Sequence, residues 1–192
     1  MQVAKVKRAL NDAEHCGDDC AHWQFDDKTT LCVVDGLGHG QYAEKAARAA
    51  VDYISRHLSA PLPEILAGCD SALRKTRGAV LGLAVIDEKT GRLTYAGIGN
   101  TRARVVGAET IRLSSSYGII GAGYKALSPV SLALTPGDLL ILSTDGVQEM
   151  IDMSRYEQAL RADVRDLADK IMLDWRHGRD DAAVLVYKKE AL

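Results

Sequence analysis

Asp35 and Asp145 each close an apolar run and precede a glycine, in "LCVVDG" and "LLILSTDG". A strand that rises out of a core with a carboxylate as its last residue delivers an anionic oxygen to a sheet edge. The glycine behind it permits a sharp turn and lets a backbone carbonyl bend toward the same point. Two further acidic pairs border predicted strands, Asp18 and Asp19 in "CGDD" and Asp180 and Asp181 in "GRDDAAVLVY". Carboxylates gathered at one site repel and raise one another's pKa unless a cation neutralises them. All-oxygen donors favour magnesium or manganese over zinc. Taken singly, each Asp-Gly is an ordinary turn dipeptide; the ordered set of GD, DGxGxG, TDG and DD gives the reading its weight.

The elements that must carry these residues follow from periodicity. "LCVVDG" is a short, partly β-branched apolar run that stops at a turn signal, and so predicts a strand. Ala43, Ala46, Ala47, Ala50, Ile54 and Leu58 recur at helical spacing and predict a helix over 41–58 whose small face packs closely on a sheet. "PLPEILAGCDSALRKT" predicts a second helix, with Pro63 near its start. Residues 78–113 read as an antiparallel meander and 114–128 as a glycine-bearing surface loop placed to touch substrate. The strand "VSLAL", the turn "TPGD" and the strand "LLILSTDG" come next. A helix is expected behind "DGVQEM", another over 164–177, and "AAVLVY" ends the chain as a strand. Elements grouped in blocks favour an α+β fold over a doubly wound parallel sheet.

The 192 residues suit a single domain, 1–192. With 47% hydrophobic and 26% charged residues the chain should fold unaided. A net charge of −2, with Lys and Arg scattered, lacks the footprint of a nucleic-acid binder. The amino terminus has no signal-peptide pattern, and "AVLGLAVI" is far too short to span a bilayer. No membrane association is expected, and a cytoplasmic location follows, in which Cys16, Cys20, Cys32 and Cys69 stay reduced. "HCGDDCAH" offers His15, Cys16, Cys20 and His22, but a structural zinc site needs a second ligand pair that the chain lacks.

Together "GDD", "DGLGHG", "GNTRARV", "LTPGDLLILSTDGVQEM" and "DDAAVLV" resemble the metal-dependent type 2C protein serine/threonine phosphatases (PP2C-like), in the bacterial branch that includes SpoIIE, RsbU and RsbX. Short length without an appended sensor is most similar to the RsbX type. The resemblance implies a four-layer α-β-β-α sandwich of two antiparallel sheets flanked by helices, with a centre of two Mn²⁺ or Mg²⁺ ions at one end. Asp18, Asp35, Asp145 and Asp180 match its aspartate ligands, and Gly36 the glycine whose carbonyl also binds. Asp19 and Asp181 match neighbours with supporting roles at most. The implied activity is hydrolysis of phosphoserine or phosphothreonine, through metals that acidify a water, on STAS-domain proteins of a stressosome-like signalling complex in the stress response. Leu37 stands where many relatives keep a histidine acid, and Ala13 where they keep a phosphate-gripping arginine. His39 either approaches the leaving oxygen or merely tops a helix, and Asn100 either makes a turn or supports the metal loop. The competing readings are a non-catalytic metal-binding or partner-binding module of the same fold and a small-molecule phosphomonoesterase.

Overall fold

The computed structural model of the protein describes residues 2–157 and 161–191. Two sheets face each other. The first contains β1 (Gln2–Arg8), β6 (Arg102–Val106), β7 (Thr110–Leu113), β12 (Leu139–Ser143) and β13 (Ala182–Lys188), in the order β1-β13-β12-β6-β7. The second contains β2 (Asp18–Phe25), β3 (Lys28–Gly36), β4 (Ala79–Asp87), β5 (Arg92–Ile98) and β11 (Val130–Ala133), in the order β11-β5-β4-β3-β2. Neighbours on both paths are antiparallel. Helices α1 (Gln41–Ser55) and α2 (Leu62–Leu73) cover the second sheet, and α3 (Val164–Trp175) covers the first.

Strand alternation builds this layering. On β3, Leu31 and Val33 join Leu140, Leu142, Leu185 and Tyr187 between the sheets, while Cys32 and Val34 face α1 and α2. A strand buried on both faces reads as continuous apolar sequence, which is how "LCVV" reads. The alanine face of α1 lies on the sheet as its spacing predicts, and the buried stripe of α2 is Leu62, Ile65, Leu66, Cys69 and Leu73. The third apolar cluster sits between β12, β13 and α3. The four-layer α+β sandwich expected from the motifs is the fold observed.

Boundaries differ in places. Helix α1 stops at Ser55 rather than 58, and α3 at Trp175 rather than 177. Behind "DGVQEM" the described chain makes one 3-10 turn, Met153–Arg155, and part of the helix expected there falls on 158–160, outside the described residues. The loop over 114–128 contains pairing segments, β8 (Ser115–Ser116), which runs parallel to β5, and β9 (Gly118–Ile119) with β10 (Gly123–Tyr124). Strand β1 is not foreshadowed by periodicity. Its Val3 and Val6 are flanked by Lys5, Lys7 and Arg8, the charged dressing of an edge strand. All four cysteines are free and buried. Among the described residues no helix is long and apolar enough to cross a membrane.

Candidate functional site

Asp18 and Asp35 are Cα partners, directly opposite across β2 and β3. By alternation both lie on the side of Cys20, Leu31 and Val33, facing the other sheet at its open end. Asp145 follows the end of β12, and Asp180 precedes β13 in the opposite sheet. The two sheet ends enclose a cavity of about 630 Å³ lined by Asp35, Leu37, His39, Asn100, Arg179 and Asp180, among others.

The electrostatics report the crowding. Asp18 is 3% exposed, and burial, then the Asp35 charge, push its carboxyl up to about 8. Burial, then Asp145 and Asp180, push Asp35 up to about 7. Burial, with lesser pushes from Asp145 and Asp181, raises Asp180 as well. Asp18 Oδ2 is buried with no hydrogen-bond partner. An orphaned carboxylate oxygen surrounded by like charges is a costly arrangement that a cation relieves. Among the described residues no group of three or more His, Cys, Asp or Glu side chains is placed to hold a metal ion as the side chains stand. Asp35 and Asp180 line the cavity, while Asp18 and Asp145 act on Asp35 or answer to it through their charge, and oxygen donors of this kind are those a hard divalent ion takes.

Backbone contacts hold the loops. The N–H of Gly36 donates to the Gly17 carbonyl at 3.0 Å, and that of Leu37 to Gly78 at 3.0 Å. A Cβ on Gly36 would stand 2.1 Å from the carbonyl oxygen of Ala43, so this glycine admits α1 against the strand end. Gly36→Ala should cost on the order of 2–3 kcal/mol through overpacking, measured by urea denaturation, and shift the Asp35 turn with it. A Cβ on Gly146 would stand 1.8 Å from the Asp181 carbonyl, which sets the "TDG" turn directly on the "DD" segment. The end of α3 fixes that turn further. His177 shares a hydrogen bond of 2.8 Å with the Asp145 carbonyl, and the His177 N–H donates to Gly146 at 3.2 Å.

The two aspartate pairs divide their labour. Asp180 lines the cavity, whereas Asp181, 2% exposed, accepts the N–H of Leu10 at 2.7 Å and of Gly17 at 2.6 Å. Asp19 pairs with Lys7 at 3.1 Å on β1. His39 is exposed and lines the cavity, directly before Gly40, the residue that caps α1. Asn100 does more than turn the chain, since its Nδ2 donates to Asp145 Oδ2 at 2.6 Å. Arg179, which sequence reasoning passed over, is part of the cavity wall, and its place directly before "DD" was the available signal. Tyr117, 82% exposed, stands on the rim.

The sequence profile of Stage II sporulation protein E (SpoIIE) matches residues 26–190. The phosphoserine phosphatase RsbX of Bacillus subtilis (strain 168) is 33% identical over 88 residues, 45% of this chain and 44% of that protein. The match thus spans less than half the length of that curated relative. Two solved structures superpose over nearly the whole chain. One belongs to a bacterial stressosome described as a modular system adapted to control secondary messenger signalling, with TM-score 0.87 and 29% identity over 96% of this chain and 97% of the other. The other is RsbX in complex with magnesium, with TM-score 0.80 and 19% identity over 96% and 92%. The fold is the type 2C phosphatase sandwich. Within that class, the chain belongs to the SpoIIE family.

Proposed function

We propose that this chain is a metal-dependent phosphatase of phosphoserine or phosphothreonine, acting on STAS-domain proteins of a stressosome-like complex. The observation that carries the reading is the buried, unpartnered Asp18 Oδ2 on the residue opposite Asp35, which itself lines a cavity together with Asp180. Asp18, Asp35, Asp145 and Asp180, with the Gly36 carbonyl, would hold two Mn²⁺ or Mg²⁺ ions. Such ions supply charge against phosphoryl oxygens and lower the pKa of an attacking water. The likeness to RsbX and to the stressosome structure supports this activity and this class of partner.

The chain's own groups complete the site. Arg179, exposed at the wall that also carries Asp180, would offer a cation to the phosphoryl oxygens, in the role that Ala13 leaves unfilled. Asn100 orients the Asp145 carboxylate through its amide. Leu37, Val80 and Ile119 make part of the wall apolar, which strengthens the charge contacts beside it.

Purified protein should release phosphate from a phosphorylated STAS protein with manganese and not with chelator. Asp35→Asn should lower the rate by ~10³-fold, equivalent to ~4 kcal/mol of transition-state stabilisation. Full activity in chelator, or in that variant, sinks the reading.

A further inference from the structure

Beside the carboxylate cavity lies a second one of about 370 Å³, and the two share Gly99, Asn100 and Tyr117. Its lining carries three arginines, Arg102, Arg104 and Arg112, against a single carboxylate, Glu149. The strands impose this crowding. Arg102 and Arg104 lie two residues apart on β6 and project from one face, while Arg104 and Arg112 are Cα partners across β6 and β7. Like charges directly opposite each other destabilise an antiparallel pair. Arg104 is 4% exposed; burial, then the charges of Arg112 and Arg102, hold its guanidinium below the usual arginine range.

The hydrogen-bond partners of these arginines are neutral. Arg102 donates to the carbonyl oxygens of Val147 and Asp145, Arg104 to that of Glu149 at 2.6 Å, and Arg112 to the Met150 sulfur at 2.5 Å. Arg102 and Arg104 therefore tie down the loop behind Asp145, which is a structural use. Carbonyls do not neutralise charge, however, and among the described residues none of the three arginines forms an ion pair. Arg112 is exposed on an edge strand and adds repulsion without a compensating carboxylate contact.

Resting on the phosphatase reading above, we infer that this arginine-lined cavity receives a glutamate or aspartate side chain of the substrate, a few residues from the phosphorylated serine or threonine. A guanidinium is built to take a carboxylate in a two-pronged bond, and its charge selects among partners more than it adds raw affinity. An extended segment advances about 3.3 Å per residue. Because the cavities share a wall at Asn100 and Tyr117, one such segment crossing Tyr117 reaches both. A small phosphomonoester would use the first cavity alone.

The test uses synthetic phosphoserine peptides in which each flanking glutamine is replaced in turn by glutamate or lysine. Turnover with manganese gives kcat/KM, and fluorescence anisotropy in chelator gives binding of the same peptides with catalysis off. Glutamate at one or two positions should raise kcat/KM and tighten binding by about 10-fold, with the gain shrinking at high salt. Arg112→Glu should reverse the preference toward lysine. Arg112→Gln should erase it without lowering the urea midpoint, which a purely structural arginine would lower. Equal kcat/KM and equal binding for glutamine and glutamate at every position, with turnover intact, overturn the acidic subsite and leave the phosphatase reading standing. Glutamate-dependent binding without turnover of any peptide supports the subsite and counts against the phosphatase reading.

Discussion

Asp18→Asn should make the metal-free protein more stable while it removes the proposed activity. Asp18 is buried, its Oδ2 lacks a partner, and its carboxyl stands opposite that of Asp35. Replacing one buried charge with an amide removes a repulsion and offers the remaining carboxylate a donor. The gain at pH 8 in chelator should be on the order of 1–2 kcal/mol, or ~2–8 °C in Tm for a chain of this size. The rate should fall by about 10³-fold, because the amide brings no charge to a divalent ion. A variant that is less stable in chelator, or that keeps wild-type turnover, contradicts the assignment of Asp18.

The same physics sets the pH dependence. Asp18 and Asp35 stand at about 8 and about 7 in the folded chain, against an ordinary value of 3.8. Between these limits the folded state holds protons that the unfolded state has released, so stability falls as pH rises. Below the ordinary value both states are protonated and the contribution is flat; above about pH 8 the whole penalty applies. Metal-free wild type should therefore melt higher at pH 5 than at pH 8, and manganese should raise Tm more at pH 8. Asp18→Asn should flatten the profile. A melting temperature that rises from pH 5 to pH 8 in chelator would contradict this account.

Asp181→Asn should be the most destabilising of the conservative aspartate changes. Its two oxygens accept the N–H groups of Leu10 and Gly17, at 2.7 and 2.6 Å, in a site closed to water. Those bonds tie the start of β13 to the segment that leaves the first sheet after β1 and enters the second at β2. An asparagine can accept only one of them and turns an NH₂ group toward the other N–H. The cost should be about 2–4 kcal/mol by urea denaturation, since a buried donor loses a charged acceptor. Asp19→Asn is the matched comparison, because it removes the partly exposed ion pair with Lys7 while the amide oxygen can still accept the Cys20 N–H, and it should cost under about 1 kcal/mol. Equal costs for the two variants would remove the structural role assigned to Asp181.

Local periodicity and composition were enough for much of the framework. The double-sided burial of β3, the alanine face of α1 and the stripe of α2 are inscribed in residue spacing, because the pattern that buries each of them repeats within one element. Strand β1 and the short pairs inside 114–128 were not legible, since a short polar strand is defined by its partner rather than by itself. Helix ends shifted by two or three residues for the related reason that the last turn is settled by the chain beyond it.

By itself, then, the sequence determined which residue types stand at strand ends: Asp18, Asp35, Asp145 and Asp180, each next to a turn, with Leu37 in place of a side-chain acid. Only the tertiary structure decided that Asp18 faces Asp35, that Asp181 anchors backbone while Asp180 lines the cavity, and that Asn100 grips Asp145. It also brought Arg179 to the cavity wall and set Arg104 opposite Arg112. The physical reason is distance along the chain. Asn100 and Asp145 are 45 residues apart, and Gly17 and Asp181 are 164 apart. A residue's type advertises what chemistry it can do, but only the register of two packed sheets decides what it meets.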